Sequence, residues 1–140
     1  MICHGVFMNR RSKAAVLLSS WALAFTSSLA RAEETGERTY KQVCVSCHGM
    51  GVLNAPKFGD VAKWAPLIAE GQLILTAHGY VGIRGMPPKG GVPTLDVEGF
   101  ADALVYMVNK AGGKWKSPDA GTLAAINKEI EARKLELSKK

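Results

Sequence analysis

Cys44-Val45-Ser46-Cys47-His48 is a C-x-x-C-H motif, and the interpretation of the whole chain depends on it. Two thiols separated by two residues on a helical turn are spaced to form thioethers with the two vinyl groups of a haem. The histidine that follows is then placed to bind the iron, and the two covalent attachments make its binding effectively intramolecular. The motif therefore predicts one haem c, attached through Cys44 and Cys47, with His48 as an iron ligand.

Two other chemistries also use closely spaced cysteines. A dithiol redox motif needs its C-x-x-C in a thioredoxin-like βαβ setting, and this sequence has no convincing strands. A zinc site needs two further cysteine or histidine ligands at finger-like spacing. Beyond residue 32, the chain offers only His78 outside the motif itself. Haem attachment is therefore the favoured interpretation.

The second iron ligand is sought among the methionines, because methionine opposite histidine raises the reduction potential of a haem. Met50 is too close to His48 in sequence to reach the opposite face, and Met107 fits the apolar spacing of a helix. Met86 lies in a Gly-Met-Pro-Pro-Lys-Gly loop, where glycine permits close approach and the prolines stiffen the backbone. We predict Met86 as the ligand. The alternatives are a gap-filling Met86 and ligation by His78, for which a solvent-facing position at a helix C-terminus is the plainer account.

The N-terminal segment has the layout of an export signal. A basic patch at residues 10–13 precedes an uncharged run of 17 residues, and Ala30-Arg31-Ala32 has small residues at the positions that a signal peptidase reads. We predict residues 1–32 as a signal peptide, cleaved after Ala32, and export to the periplasm. The alternative is a retained membrane anchor, although a spanning helix needs about 20 mostly apolar residues.

Loss of that segment changes the charge of the chain. The formal net charge falls from +6 to +2, because the segment holds four of the 18 basic residues and none of the 12 acidic ones. A nearly balanced chain lacks the basic surface of a nucleic-acid-binding protein. We therefore predict no nucleic-acid partner, and no integral membrane span once the signal is removed.

The spacing of apolar residues predicts an all-α fold. It places helices over residues 37–47, 61–70, 72–78 and 97–110. Asp60 and Asp96 are the expected N-caps of the second and fourth helices. Pro66 is expected to kink or restart the second helix, and Gly79 to end the third.

The last part of the chain reads as a separate extension, residues 113–140, after a core domain of residues 33–112. Ser117-Pro118 suggests a helix start, and Leu123, Ile126, Ile130 and Leu137 recur on one side of the helix that follows. This helix either packs back on the domain or mediates contacts with a second copy or a partner.

Several short motifs in the correct order make the chain resemble class I cytochromes c, and among them the bacterial cytochrome c5 group. The matching motifs are Tyr40, Cys44-x-x-Cys47-His48-Gly49, Gly51, Ala55-Pro56-Lys57, Gly59-Asp60, Trp64-Ala65-Pro66 and Met86-Pro87-Pro88-Lys89-Gly90. The resemblance implies a small all-α cytochrome c fold around one haem, with an extra C-terminal helix here. It also implies single-electron transfer between exported redox proteins rather than catalysis.

The resemblance further implies roles for individual residues. His48 is the proximal ligand and Met86 the distal one, with Cys44 and Cys47 attached to the haem. The Pro56 carbonyl accepts a hydrogen bond from His48 and fixes its ring.

Two more implications of the resemblance concern Trp64 and a missing cysteine pair. Trp64 packs near the haem propionates and offers its indole N–H. The chain departs from the group at Val92 and Leu95, which stand where its members often carry a second cysteine pair.

Three functions compete at this point. The first is a periplasmic electron carrier, with Lys57, Lys63 and Lys89 as candidates to surround an exposed haem edge. The second is a haem c subunit of a larger periplasmic dehydrogenase, which the extra helix suggests. The third is a sensor or enzyme with open iron, which requires Met86 to be unbound. The sequence identifies neither the electron donor nor the acceptor.

Overall fold

The computed structural model describes residues 33–139, and this part of the chain is helical, with only an isolated bridge between Ile83 and Met86 in place of strands. The signal peptide predicted for residues 1–32 lies outside the described residues. The elements are α1 (residues 33–48), α2 (Val61–Ala69), α3 (Gln72–Val81), α4 (Val97–Lys110) and α5 (Ala120–Leu137), with 3₁₀ turns at Val52–Asn54 and Pro88–Gly91. The all-α prediction is confirmed. No described helix is long and apolar enough to cross a bilayer.

Three helices begin at an aspartate that caps them. Each carboxylate accepts the backbone N–H three residues on, at 2.7–3.1 Å, and the three caps are Asp60, Asp96 and Asp119. Such a bond satisfies one of the free donors at a helix start. The first two caps confirm the prediction. The third corrects it, because α5 begins after Asp119 and the predicted start at Ser117-Pro118 lies in the preceding segment.

Two predicted helix boundaries are wrong. α2 does not restart at Pro66 but runs through it to Ala69, with the aspartate cap at its start and the buried Trp64 on the N-terminal side of the proline. α3 runs past Gly79 and ends at Val81, followed by Gly82, whose φ of +95° favours glycine. Gly79 instead serves packing, since a Cβ there would lie 2.9 Å from the Phe100 ring.

One group of buried residues joins α1, α2, α3 and α4, and we call it the α1–α4 cluster. Its buried members are Tyr40, Cys44, Trp64, Leu75, Ala103, Leu104, Met107, Val108 and Ala111. The Tyr40 ring stacks on Phe58 at 4.5 Å and meets Tyr106 of α4 at 5.6 Å. The first and last core helices are thus held together by aromatic rings.

A second group, the α3–α5 cluster, fixes the C-terminal extension to the rest of the chain. Its buried members are Ala77, Tyr80, Phe100, Ile126 and Ile130. Full burial of a side chain such as Ile126 contributes about 1.5–3 kcal/mol. Of the two interpretations of the extension, the structure therefore shows packing onto the chain itself. Leu137 takes no part in this packing, because it is half exposed.

Candidate functional site

A cavity of about 620 Å³ lies between α1, α2, α3, α4 and the two 3₁₀ turns. Ligand sites typically enclose about 300–1,000 Å³ behind mostly apolar walls. The wall of this cavity brings together all six residues that the sequence assigned to one site: Cys44, Cys47, His48, Pro56, Trp64 and Met86. These residues come from α1, α2 and two loops, so the fold, and not sequence proximity, assembles them.

α1 carries the two thiols at the point where its winding changes. The helix has a π-helical segment, Tyr40–Cys44, which passes directly into Val45–His48. Cys44 and Cys47 are both free thiols. Burial, with the neighbouring Cys47 as a second cause, raises the pKa of Cys44 to about 11. A dithiol redox role needs a reactive thiolate, so this environment argues against that alternative.

His48 is held in one orientation by the backbone. It is 7% exposed, and its Nδ1 lies 2.9 Å from the Pro56 carbonyl oxygen. A carbonyl only accepts, so Nδ1 carries the proton and Nε2 keeps its lone pair. This is the usual arrangement of a metal-binding histidine, in which the second nitrogen fixes tautomer and ring orientation. The hydrogen bond that the resemblance implied for Pro56 is present.

Trp64 forms part of the cavity wall, and its indole N–H does not point into the cavity as a free donor. The ring is 2% exposed and its centroid lies 6.0 Å from that of His48. Its indole N–H donates to the Lys57 carbonyl at 2.7 Å. The indole donor expected from the resemblance is therefore used within the protein, where it ties α2 to the loop before it.

Met86 is presented by a tight backbone turn. Its N–H and carbonyl pair with the carbonyl and N–H of Ile83 at 2.9 and 3.1 Å, and Arg84 within this turn has φ of +54°. The Met86 methyl group lies 3.9 Å from the position of a Cβ built on Gly79. The glycine in α3 therefore leaves room for the end of the thioether side chain beside the helix.

The loop after Met86 is anchored by contacts that sequence reasoning missed. Lys89 Nζ donates to the Pro93 carbonyl at 2.8 Å and lies 5.4 Å above the Tyr80 ring. The Tyr80 hydroxyl donates to the Leu95 carbonyl at 3.1 Å. Lys89 was a candidate for a docking face, but its ammonium group is engaged within its own chain.

His78 also lines the cavity, but both of its ring nitrogens are occupied. Nδ1 lies 3.2 Å from Glu70 Oε2, and Nε2 lies 2.6 Å from Arg133 Nη1 on α5. Its side chain is 17% exposed, so the expected solvent-facing position is wrong. α3 continues beyond it and α5 covers it. Sequence analysis missed Arg133, although its position three residues after Ile130 continues the buried side of α5.

The donor set fits a haem c better than a bare ion. Two thiols, one imidazole and one thioether share a large cavity whose other walls are mainly apolar, as a porphyrin with two thioether attachments requires. Within residues 33–139, no three His, Cys, Asp or Glu side chains converge to hold a metal ion.

Comparison with known proteins gives consistent results. The family described as cytochrome C oxidase, cbb3-type, subunit III matches residues 31–107. Cytochrome c-555 of Chlorobaculum thiosulfatiphilum is 44% identical over 80 residues, which cover 54% of this chain and 93% of that protein. Cytochrome c-555 of Chlorobaculum tepidum is 39% identical over 102 residues, which cover 70% of this chain and 89% of that protein.

A cytochrome c5 and a solved structure extend this comparison. Cytochrome c5 of Azotobacter vinelandii is 45% identical over 58 residues, covering 40% of this chain and 70% of that protein. A chain in the crystal structure of an electron transfer complex of nitrite reductase with cytochrome c superimposes with a TM-score of 0.53 at 43% identity. That match covers 55% of this chain and 94% of the other. The family match ends within α4, so α5 lies beyond it.

Proposed function

Because this chain belongs to the cytochrome c family, whose members carry electrons on covalently bound haem c, we propose that it is an exported, periplasmic electron carrier with His48 and Met86 as axial ligands. Cys44 and Cys47 attach the haem. One observation carries the assignment: a single cavity is lined by two thiols, an oriented imidazole and a thioether.

The residues around the cavity suit a haem that exchanges electrons without changing its ligands. When bound, the haem supplies the one-electron couple of its iron. Pro56 holds the His48 ring, and the Ile83–Met86 turn limits the conformations of the distal thioether. The apolar wall limits water access, which together with methionine ligation favours a raised reduction potential.

We propose that electrons leave through a docking face formed by the loop after α1. Met50, Val52 and Leu53 are 77%, 45% and 80% exposed, and Val52 and Leu53 also line the cavity. A group of large exposed apolar side chains marks an interaction site. The structural relative was solved in an electron transfer complex with nitrite reductase, which supports a redox protein as the class of partner.

A second candidate is a haem c subunit of a larger periplasmic complex such as a dehydrogenase. The matching family is described as a subunit of an oxidase, and this favours the candidate. The extra helix no longer supports this candidate, because Ile126 and Ile130 on its apolar side are buried within the chain. Size-exclusion chromatography of the protein isolated from its source separates the two: a lone monomer supports the carrier, and stable co-elution with other subunits supports the complex.

The axial assignment is tested by optical spectroscopy of the purified ferric holoprotein. Methionine bound to ferric haem gives a weak absorption band at the red edge of the visible spectrum. We expect the band in the natural protein, its loss in Met86→Leu, and its retention in the control Met50→Leu, which changes an exposed methionine outside the cavity. Retention of the band in Met86→Leu would show that Met86 is not the ligand. Absence of the band from the natural protein would show that methionine is not bound, which leaves either ligation by His78 or an open iron, as in a sensor or enzyme.

A further inference from the structure

The C-terminal helix makes a polar contact with the wall of the haem cavity through Arg133. Arg133 on α5 lies 2.6 Å from Nε2 of His78, which belongs to the cavity wall. α5 lies outside the region matched by the family, so this contact is a property of the extension. Ile126 and Ile130 fix the helix on the same side, and they position Arg133 by burial.

The chemistry of this contact fixes the protonation pattern of His78. A guanidinium has only donors, so Arg133 must donate and Nε2 must accept through its lone pair. The proton of the neutral ring then lies on Nδ1, which donates to Glu70 at 3.2 Å. His78 is thereby held at both ends, between a carboxylate from the end of α2 and a guanidinium from α5.

His78 lines the same cavity as Met86, the predicted distal ligand. Gly79, the next residue, has the Met86 methyl group 3.9 Å from the position of its missing Cβ. A neutral imidazole with a free Nε2 is a common iron ligand, whereas a thioether is a weak one. A histidine in this wall therefore competes with Met86 unless its lone pair is otherwise used.

We propose that Arg133 is a positioning residue that holds the His78 lone pair away from the iron and so preserves methionine ligation. This inference rests on the proposed His48/Met86 ligation. Arg133 Nε is buried and has no hydrogen-bond partner among the described residues. A residue of the extension, which lies outside the family's haem domain, thus helps to keep Met86 as the distal ligand.

The test uses the holoprotein with Arg133→Met, which keeps an unbranched side chain but removes all donors. We expect loss of most of the red-edge band of the ferric protein and a lower reduction potential, because histidine replaces methionine on the iron. The double variant Arg133→Met with His78→Gln should regain the band. The matched control is Lys134→Met, which breaks only an exposed ion pair with Glu131 on the same helix.

The outcomes separate this inference from the function on which it rests. If the natural protein lacks the band, the proposed ligation fails, and this inference fails with it. If the natural protein shows the band and a folded Arg133→Met keeps it, the inference alone is wrong. Circular dichroism checks the fold, and Arg133→Ala provides a second variant without the new side chain. Loss of the band that His78→Gln does not reverse also overturns the proposal, because it shows a general disturbance.

Discussion

The two core clusters differ in how much they depend on the haem. Within the described residues, five of the nine buried members of the α1–α4 cluster line the cavity, namely Cys44, Trp64, Leu75, Leu104 and Met107. In the α3–α5 cluster, only Phe100 of the five buried members does so. The first cluster is completed by the prosthetic group, whereas the second is completed by protein. The family's haem domain therefore relies on its cofactor, and the extension adds a core that does not.

The largest expected effect comes from preventing haem attachment. In the double variant Cys44→Ala with Cys47→Ala, we expect loss of most of the helical circular dichroism signal. The α1–α4 cluster then faces a large cavity, and a core of about 80 residues is marginal even when complete. The control is Met50→Leu, which should keep both haem and helical signal. Native helical content in the haem-free variant would show that the two clusters do not differ in this way.

The next prediction tests the α3–α5 cluster, which is completed by protein side chains. Ile126→Ala should lower the free energy of unfolding of the holoprotein by about 2–5 kcal/mol, because it opens a space at a fully buried position. The red-edge absorption band should persist under native conditions, since Ile126 does not line the cavity. Urea denaturation measures the free energy of unfolding, and optical spectroscopy follows the red-edge band.

The exposed position Leu135 provides the control for this variant. Leu135→Ala should change the free energy of unfolding by no more than about 0.5 kcal/mol, because Leu135 is 58% exposed. Equal losses for Ile126→Ala and Leu135→Ala would mean that α5 is not held by the buried contact with α3.

The part of the molecule around the haem cavity could be predicted from the sequence in more detail than the rest. Cys44-Val45-Ser46-Cys47-His48 and the loop around Met86 carry strict local motifs, and the cavity indeed collects both. Asp60 and Asp96 cap their helices as expected, because capping depends on residues within one turn.

What escaped prediction depends on contacts between distant parts of the chain. Gly79 reads locally as a helix end, yet it serves as the place where the Phe100 ring packs. The pairing of Arg133 with His78 joins residues 55 positions apart, and no local pattern links them. Lys89 reads as a surface charge, whereas its contact with Pro93 follows from the turn of the loop. In each case tertiary packing decides between roles that are locally equivalent.

The smallest effect concerns a buried carboxyl group on α4, the helix that contributes to both clusters. Asp102 is 8% exposed, and its Oδ1 has no hydrogen-bond partner among the described residues. Burial raises the pKa of Asp102, the nearby charges of Glu98 and Asp96 raise it further, and the Ser117 hydroxyl offsets part of the rise. A raised pKa in the folded state means that the folded chain holds this proton more tightly than the unfolded chain.

Ionisation of Asp102 therefore costs stability as the pH rises from the unfolded pKa of about 3.9 through the higher folded value. Asp102→Asn removes this cost while keeping a polar group of the same shape, so it should be more stable than the natural protein at pH 7. The difference should shrink toward zero at about pH 3, where the aspartate is largely protonated in both the folded and the unfolded chain. The difference in stability between the two proteins is measured from urea denaturation midpoints at the two pH values, with Glu136→Gln, at an exposed position, as the control. A gain that is equal at both pH values would assign the effect to packing of the introduced amide, and not to removal of the carboxylate charge.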